Sequence, residues 1–289
     1  MRILAIATLL LKASAVCATP AGHELRAGDV FEISRDIESS SKTTGGESTG
    51  SSTDRDTIEE RVIATSQAGL ELQYDLPKGT TAEDRARQWQ LPASVLKLPN
   101  GPLQLLDGAE LAGRVAAWLK AAGLTEAACG HWYFTWNAFR IECDPNSVIK
   151  TLEGFDLGPD DMAEGVLYRD PEALGSAPVK RTAVSPGGEV FHVALAVDPD
   201  AVRRDLAQSD VAVGEISRRP VTYEEALRAR SNEDISGTID ITFETDPAGH
   251  VLRQTKVTTL NNMRGFMGRP EIRTSTETLE RRLISEPGA

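Results

Sequence analysis

The chain has 289 residues, with 43 acidic against 31 basic side chains and a formal net charge of −12 at pH 7. That balance argues against nucleic acid and anionic membrane surfaces as partners, since both repel an acidic chain. Beyond the N-terminus no stretch approaches the ~20 apolar residues of a membrane-spanning helix, so no integral membrane span is expected.

The first residues, MRILAIATLLLKASAVCATPAG, place Arg2 ahead of an apolar run from Ile3 to Leu11, and small residues follow. This is the layout of a secretory signal peptide. Cleavage after Ala18 is expected, leaving residues 19–289 as a single exported domain, periplasmic or secreted. Cys17 opens lipoprotein anchoring as an alternative, although Val16 is bulky where a small residue is wanted before a lipidated cysteine. Loss of residues 1–18 removes Arg2 and Lys12 and no acid, so the net charge moves from −12 to −14.

Val30, Phe31, Ile33 and Ile37 mark a first strand. Ser39 to Thr53, SSSKTTGGESTGSST, has no apolar residue and predicts a flexible, solvated loop with no site in it. Val62 and Ile63 mark a second strand, and Leu70, Leu72 and Tyr74 a third, completing an antiparallel meander. TAEDRARQWQ predicts one or two helical turns from Thr81. Pro99-Asn100-Gly101-Pro102 is turn chemistry between two apolar runs. Asp107 then reads as an N-cap with Glu110 three residues on. Leu111, Val115, Trp118 and Leu119 share one helical face, and Gly123 closes the helix.

The chain holds 4 Trp, 4 Tyr and 7 Phe, and Trp132, Tyr133, Phe134, Trp136 and Phe139 crowd into one segment, CGHWYFTWNAFRIEC. Export predicts a disulfide between its bracketing Cys129 and Cys143. Centred on Trp136, the segment predicts a hairpin that pairs His131 with Ile141, Trp132 with Arg140 and Tyr133 with Phe139, with a cation–π stack of Arg140 on Trp132. Asp144 should cap the next short helix, with Pro145 at its first position and Gly154 at its end.

Glu189 to Val197 reads as a strand. DPDAVRRDLAQSD opens a helix capped by Asp198, and Thr222 with Glu225 forms a capping box. In GTIDITFETD, Ile239, Ile241 and Phe243 face inward, while Thr238, Asp240, Thr242 and Glu244 face out. Two further strands close the chain, joined by NNMRGFMGR, which is a hairpin loop or a flap over a cavity. The two ends look alike, as an internal repeat or as large antiparallel sheets generally do. The fold class is α+β, a curved, mainly antiparallel sheet with several short helices packed on one side.

HExxH, GxSxG, Walker and GxGxxG signatures are absent from the sequence. No catalytic residue, metal site or cofactor is assigned. His23 and His250 read as solvated and His192 as half-buried in a strand. Only His131 has chemically interesting company. The acidic pairs Glu59–Glu60, Asp160–Asp161 and Glu224–Glu225 suit strand surfaces and first helical turns. The candidate ligand-binding residues are therefore Trp132, Tyr133, Trp136, Phe139 and His131. The same aromatics could instead anchor a small core.

The order LRAGDVFEIS, a polar stretch, TIEERVIATSQAGLELQYD, then VLKLPNGPLQLLDGAEL entering a helix, resembles a class of exported bacterial proteins of unknown function. The closing GTIDITFETDPAGHVLRQTKVTT is similar too. The resemblance implies an open half-barrel sheet like those of periplasmic lipoprotein carriers and related lipid-binding proteins. It covers about half of the mature chain, and it carries over no site residue. These readings predict a non-enzymatic protein of a Gram-negative-type envelope that binds an apolar ligand or scaffolds an unidentified envelope partner. The alternative is a periplasmic hydrolase-type enzyme with a site near His131.

Overall fold

The computed structural model describes residues 25–43, 49–99, 101–134, 138–159, 162–263 and 269–285. The expected signal peptide, Cys17, Trp136 and the centre of the 261–269 loop lie outside them.

The first half runs β1 (Val30–Thr43), β2 (Thr49–Ser66), β3 (Gly69–Asp75), α1 (Ala82–Arg87), β4 (Ala93–Lys97), β5 (Leu103–Leu105) and α2 (Gly108–Ala121). A middle section follows, with β6 (Trp132–Phe134), β7 (Ala138–Arg140), α3 (Ser147–Glu153), β8 (Leu167–Arg169) and β9 (Ser176–Pro178). The second half holds β10 (Lys180–Ser185), β11 (Gly188–Ala196), α4 (Pro199–Ile216), α5 (Tyr223–Ala229), β12 (Ile235–Thr245), β13 (Val251–Asn262) and β14 (Glu271–Ser285).

Ten strands make one open, curved sheet in the order β10-β11-β12-β13-β14-β1-β2-β3-β4-β5, antiparallel throughout. The expected α+β class is what the chain adopts. Its first and last strands, β1 and β14, lie side by side and join the two halves. The outer edges are blunted. β5 is 3 residues long, and β10 carries Lys180 and Arg181 with a register shift after Arg181; short edges, cationic side chains and bulges all discourage edge-to-edge pairing.

The two ends of the serine- and threonine-rich stretch are strand, not the loop their composition suggests, and its centre, residues 44–48, lies outside the described residues. Residues 39–43 belong to β1 and 49–53 to β2, with Ser39 opposite Ser52 and Ser41 opposite Gly50. β1 is also flanked by β14 on its other side, so its backbone groups are satisfied by ladders even where no side chain is apolar.

The core follows the alternation of the strands and the faces of the helices. Ile33, Val62, Leu72, Val95, Phe191, Val193, Ile239, Ile241 and Phe243 are buried, and they form one cluster with Leu111, Val115 and Leu119 of α2 and Val148 and Leu152 of α3. α2 ends as expected, with Gly123 at φ 68° and the Leu124 N–H returned to the Leu119 carbonyl. Asp107 holds the N-cap position without capping, because its carboxylate instead accepts the Ser94 N–H at 3.1 Å. α3 begins two residues later than expected: Asn146 is its N-cap, and Asp144 turns the chain just before it by accepting the Asn146 N–H at 2.9 Å. The Asp198 cap and the Thr222–Glu225 capping box form as read. α4 runs 18 residues, on to Ile216, beyond the stretch that marks its start. Its buried positions Ala207, Ala212 and Gly214 are small, so they leave no large-apolar period to read.

One turn is built twice. Ser66 and Ser185 each accept an N–H two residues on, from Ala68 and Gly187 at 3.2 Å, and each hydroxyl donates to a glycine carbonyl three residues on. Those glycines, Gly69 and Gly188, sit at φ 139° and 136°, and a Cβ there would lie 2.1 Å from the Lys97 carbonyl oxygen and 1.7 Å from that of Thr245. In each half the strand after this turn leads through helix to the next strand of the sheet, β3-α1-β4 and β11-α4-α5-β12.

Candidate functional site

The central strands carry their side chains in cross-strand rows. Ile37 is opposite Glu277, which is opposite Lys256; Ser41, Arg273 and Leu260 make another row, and Thr43, Glu271 and Asn262 a third. A period of two puts these rows on one face. Over that face lies the N-terminal half of α4, which contributes Ala201, Val202, Asp205 and Leu206. Between sheet and helix is a cleft of ≈ 970 Å³. Its apolar lining comes from Val197, Val202, Leu206, Ile235, Leu260 and Ile37, and its hydroxyl lining from Ser41, Thr43, Thr258 and Ser275.

Every cation of the lining is matched by a carboxylate. Arg35 meets Glu277 at 2.5 Å, Arg273 meets Glu271 at 3.5 Å, and Lys256 meets Asp170 and Glu172, each at 2.8 Å. Arg230, at the end of α5, grips both oxygens of Asp210 at 2.7 Å and Glu233 at 2.7 Å. The hydrogen bonds it donates to Asp210 raise the guanidinium pKa against the opposing effect of burial. Burial opposes the Lys256 charge, but the hydrogen bonds to Asp170 and Glu172 prevail and its pKa is raised. The cleft thus combines an apolar roof, a hydroxyl-rich floor, cations that are all paired and carboxylates in excess of them, Asp205 among these.

The aromatic candidates form a different feature. Cys129 and Cys143 are bonded, with Cα atoms 5.6 Å apart. β6 and β7 pair in the expected register, Trp132 with Arg140 and Tyr133 with Phe139, and the Ile141 N–H reaches the His131 carbonyl at 3.0 Å. Tyr133 stacks on Phe139 with ring centroids 6.1 Å apart. The expected Arg140–Trp132 stack gives way to hydrogen bonds: the Arg140 guanidinium donates to the Gly130 carbonyl at 2.8 Å and to Glu142 at 2.9 Å. Glu215 of α4 secures the hairpin's base, 2.6 Å from His131 Nδ1 and 3.3 Å from the Trp132 N–H. The His131 contact holds the Glu215 pKa below the usual carboxylate range. His131, Trp132, Tyr133 and Phe139 come together in this hairpin, and none of them lines the cleft.

His192 is half-buried as read, 3.3 Å from Asp240. His250 is less solvated than its turn suggested, since Asp246 lies 3.3 Å from its Nδ1. Among the described residues no group of three or more His, Cys, Asp or Glu is placed to hold a metal ion, and no helix is long and apolar enough to cross a membrane.

The cleft was missed because its walls come from separate parts of the chain and its residues are ordinary. The only local signal was the alternation through Ser39–Thr43, which has no apolar member to make it visible.

No protein-family model matches the chain, and no curated protein matches it. Among solved structures the chain is similar to one described as lipid–protein interactions in lipovitellin, at 10% sequence identity and a TM-score of 0.37, over 92% of this chain and 26% of that one. The chain therefore spans about a quarter of that protein's length, and a likeness this weak decides neither family nor function.

Proposed function

We propose that the protein is a non-enzymatic binder of an amphiphile that is not anionic, held in the cleft between the sheet and α4, and that it works outside the cytoplasm. The cleft carries this reading. Its volume suits a ligand of lipid or drug size. Val202, Leu206 and Leu260 offer contact to an apolar chain, while Ser41, Thr43, Thr258 and Ser275 offer hydrogen bonds to a polar end. An anionic head group would meet carboxylates in excess and would have to break one of the lining ion pairs to find a cation, so the chemistry favours a head group that is not anionic. The disulfide supports an oxidising compartment.

Native mass spectrometry of protein isolated from its own envelope or secreted fraction tests the reading. The wild type should carry extra mass that leaves on gentle activation. Val202→Trp, which fills the cleft from α4, should arrive folded and bare, with the melting temperature of wild type stripped of its ligand. Bare wild-type protein, or a Val202→Trp variant that still carries the mass, would count against this site.

A further inference from the structure

Asp205 is out of keeping with its neighbours. Ala201, Val202, Asp205 and Leu206 of α4 all line the cleft, and their spacing sets them on one stripe of the helix. The other members are apolar, as suits a stripe that roofs a cavity. Among the described residues the Asp205 carboxylate has no ion pair and no hydrogen bond, and it is open to solvent.

The charge around it is lopsided. Arg35 and Arg273 are each held by one carboxylate, and Arg230 and Lys256 by two each, so with Asp205 added the carboxylates exceed these cations by three. The next cations along α4, Arg203 and Arg204, are taken by Asp200 and Asp198. A cation entering the cleft therefore meets a carboxylate that it can pair with while every existing ion pair stays intact.

We propose that the cleft selects an amphiphile with a primary ammonium head, and that Asp205 sets this preference. The inference rests on the cleft being an amphiphile site and goes beyond that reading by naming the head group. A primary ammonium carries three N–H donors. The Asp205 carboxylate accepts from it, and the hydroxyls of Ser41, Thr258 and Ser275 are further acceptors in the same lining. A quaternary ammonium donates nothing and is recognised by aromatic faces, whereas no Phe, Tyr or Trp is among the described residues that line the cleft. Val202 and Leu206 flank Asp205 on its stripe, so a chain attached to the ammonium reaches apolar surface at once.

Calorimetric titration of the full chain, freed of ligand, tests this with dodecylamine, dodecyltrimethylammonium and dodecanol, each kept below its micelle concentration. Dodecylamine should bind most tightly. Asp205→Asn should weaken the amine about three- to fivefold, in line with a part-exposed ion pair, and leave dodecanol unchanged. Glu153→Gln removes the same charge from an exposed position on α3 away from the cleft, and it should bind the amine as wild type does. Asp205→Lys should reverse the preference and favour dodecanoate, a gain that misfolding does not produce. Equal binding of all three probes, each blocked by Val202→Trp, would overturn the ammonium preference and leave the amphiphile cleft standing. Amine that binds Val202→Trp as well as wild type would overturn both. Asp205→Asn that binds the amine unchanged, or Glu153→Gln that loses as much, would remove Asp205 from the role.

Discussion

Arg281 is the side chain on which the joint between the halves depends most. Strand β14 carries it, and its guanidinium lies 3.7 Å from the centre of the Phe31 ring on β1 and donates to Glu60 on β2. Glu60 in turn accepts the Tyr74 hydroxyl of β3 at 2.7 Å. One network therefore crosses four adjacent strands. The Arg281 and Glu60 side chains are only 11% and 7% exposed, so removing the arginine strands a buried carboxylate. Arg281→Met should cost about 3–5 kcal/mol, and Glu60→Leu on top of it should recover part of that, both read from urea midpoints. If the single variant costs less than the double, the Tyr74 hydroxyl alone is enough to hold the Glu60 carboxylate. Burial, then the Glu60 charge, raises the Tyr74 phenol well above its ordinary value. An acid whose pKa is higher folded than unfolded contributes stability below its unfolded pKa, and that contribution is lost as pH rises from about 10. Tyr74→Phe should lessen the alkaline loss of stability.

At the scale of elements, the stapled hairpin is a local unit whose stability is separable from that of the sheet. Cys129→Ser opens a loop with a sequence separation of 14, which the chain-entropy account values at about 3 kcal/mol. Amide exchange should quicken first at Trp132–Phe134 and Ala138–Arg140, and calorimetry should show a fall of several degrees in melting temperature. Unchanged exchange in the hairpin would mean that Glu215 and the packing of Ile141 hold it without the staple. This hairpin was legible down to its register because the disulfide, the turn and the pairing all fall within fifteen residues. The same holds for Gly123 after α2, the Thr222–Glu225 box, and the Ile239, Ile241, Phe243 face of β12. Reading failed where a neighbour far along the chain decides the outcome. Ser39–Thr43 has loop composition, yet it is a strand because β14, more than 200 residues away, pairs with it. The second half of α4 gives no apolar period to read, because Ala207, Ala212 and Gly214 pack closely without bulk. The cleft combines both failures, with a floor from Ser41, Thr43 and β14 and a roof from α4.

For the molecule as a whole, the question is whether ten strands melt as one body or as two halves abutting at β1 and β14. The seam argues for one. Its ladder runs the full length of β1, from Val30 opposite Ser285 to Thr43 opposite Glu271, Arg35–Glu277 and the Arg281 network cross it, and core residues of both halves join one cluster. The twin glycines provide a matched probe of each half. A side chain at Gly69 would collide with the carbonyl of Lys97, and one at Gly188 with that of Thr245. Each backbone position is also one that L-residues adopt only under strain, costing about 1–3 kcal/mol before any collision. Gly69→Ala and Gly188→Ala should therefore each destabilise by at least that much, although they lie in opposite halves. If the sheet is one cooperative unit, calorimetry will show a single transition that both substitutions move to lower temperature, with calorimetric and van't Hoff enthalpies in agreement. If the seam merely abuts two domains, the wild type will show two transitions, and each alanine will shift only its own. That second outcome would also change the meaning of the cleft, because its floor of Ser41, Thr43, Arg273 and Leu260 draws on both sides of the seam, and a ligand bound there would then be expected to raise the two melting temperatures together.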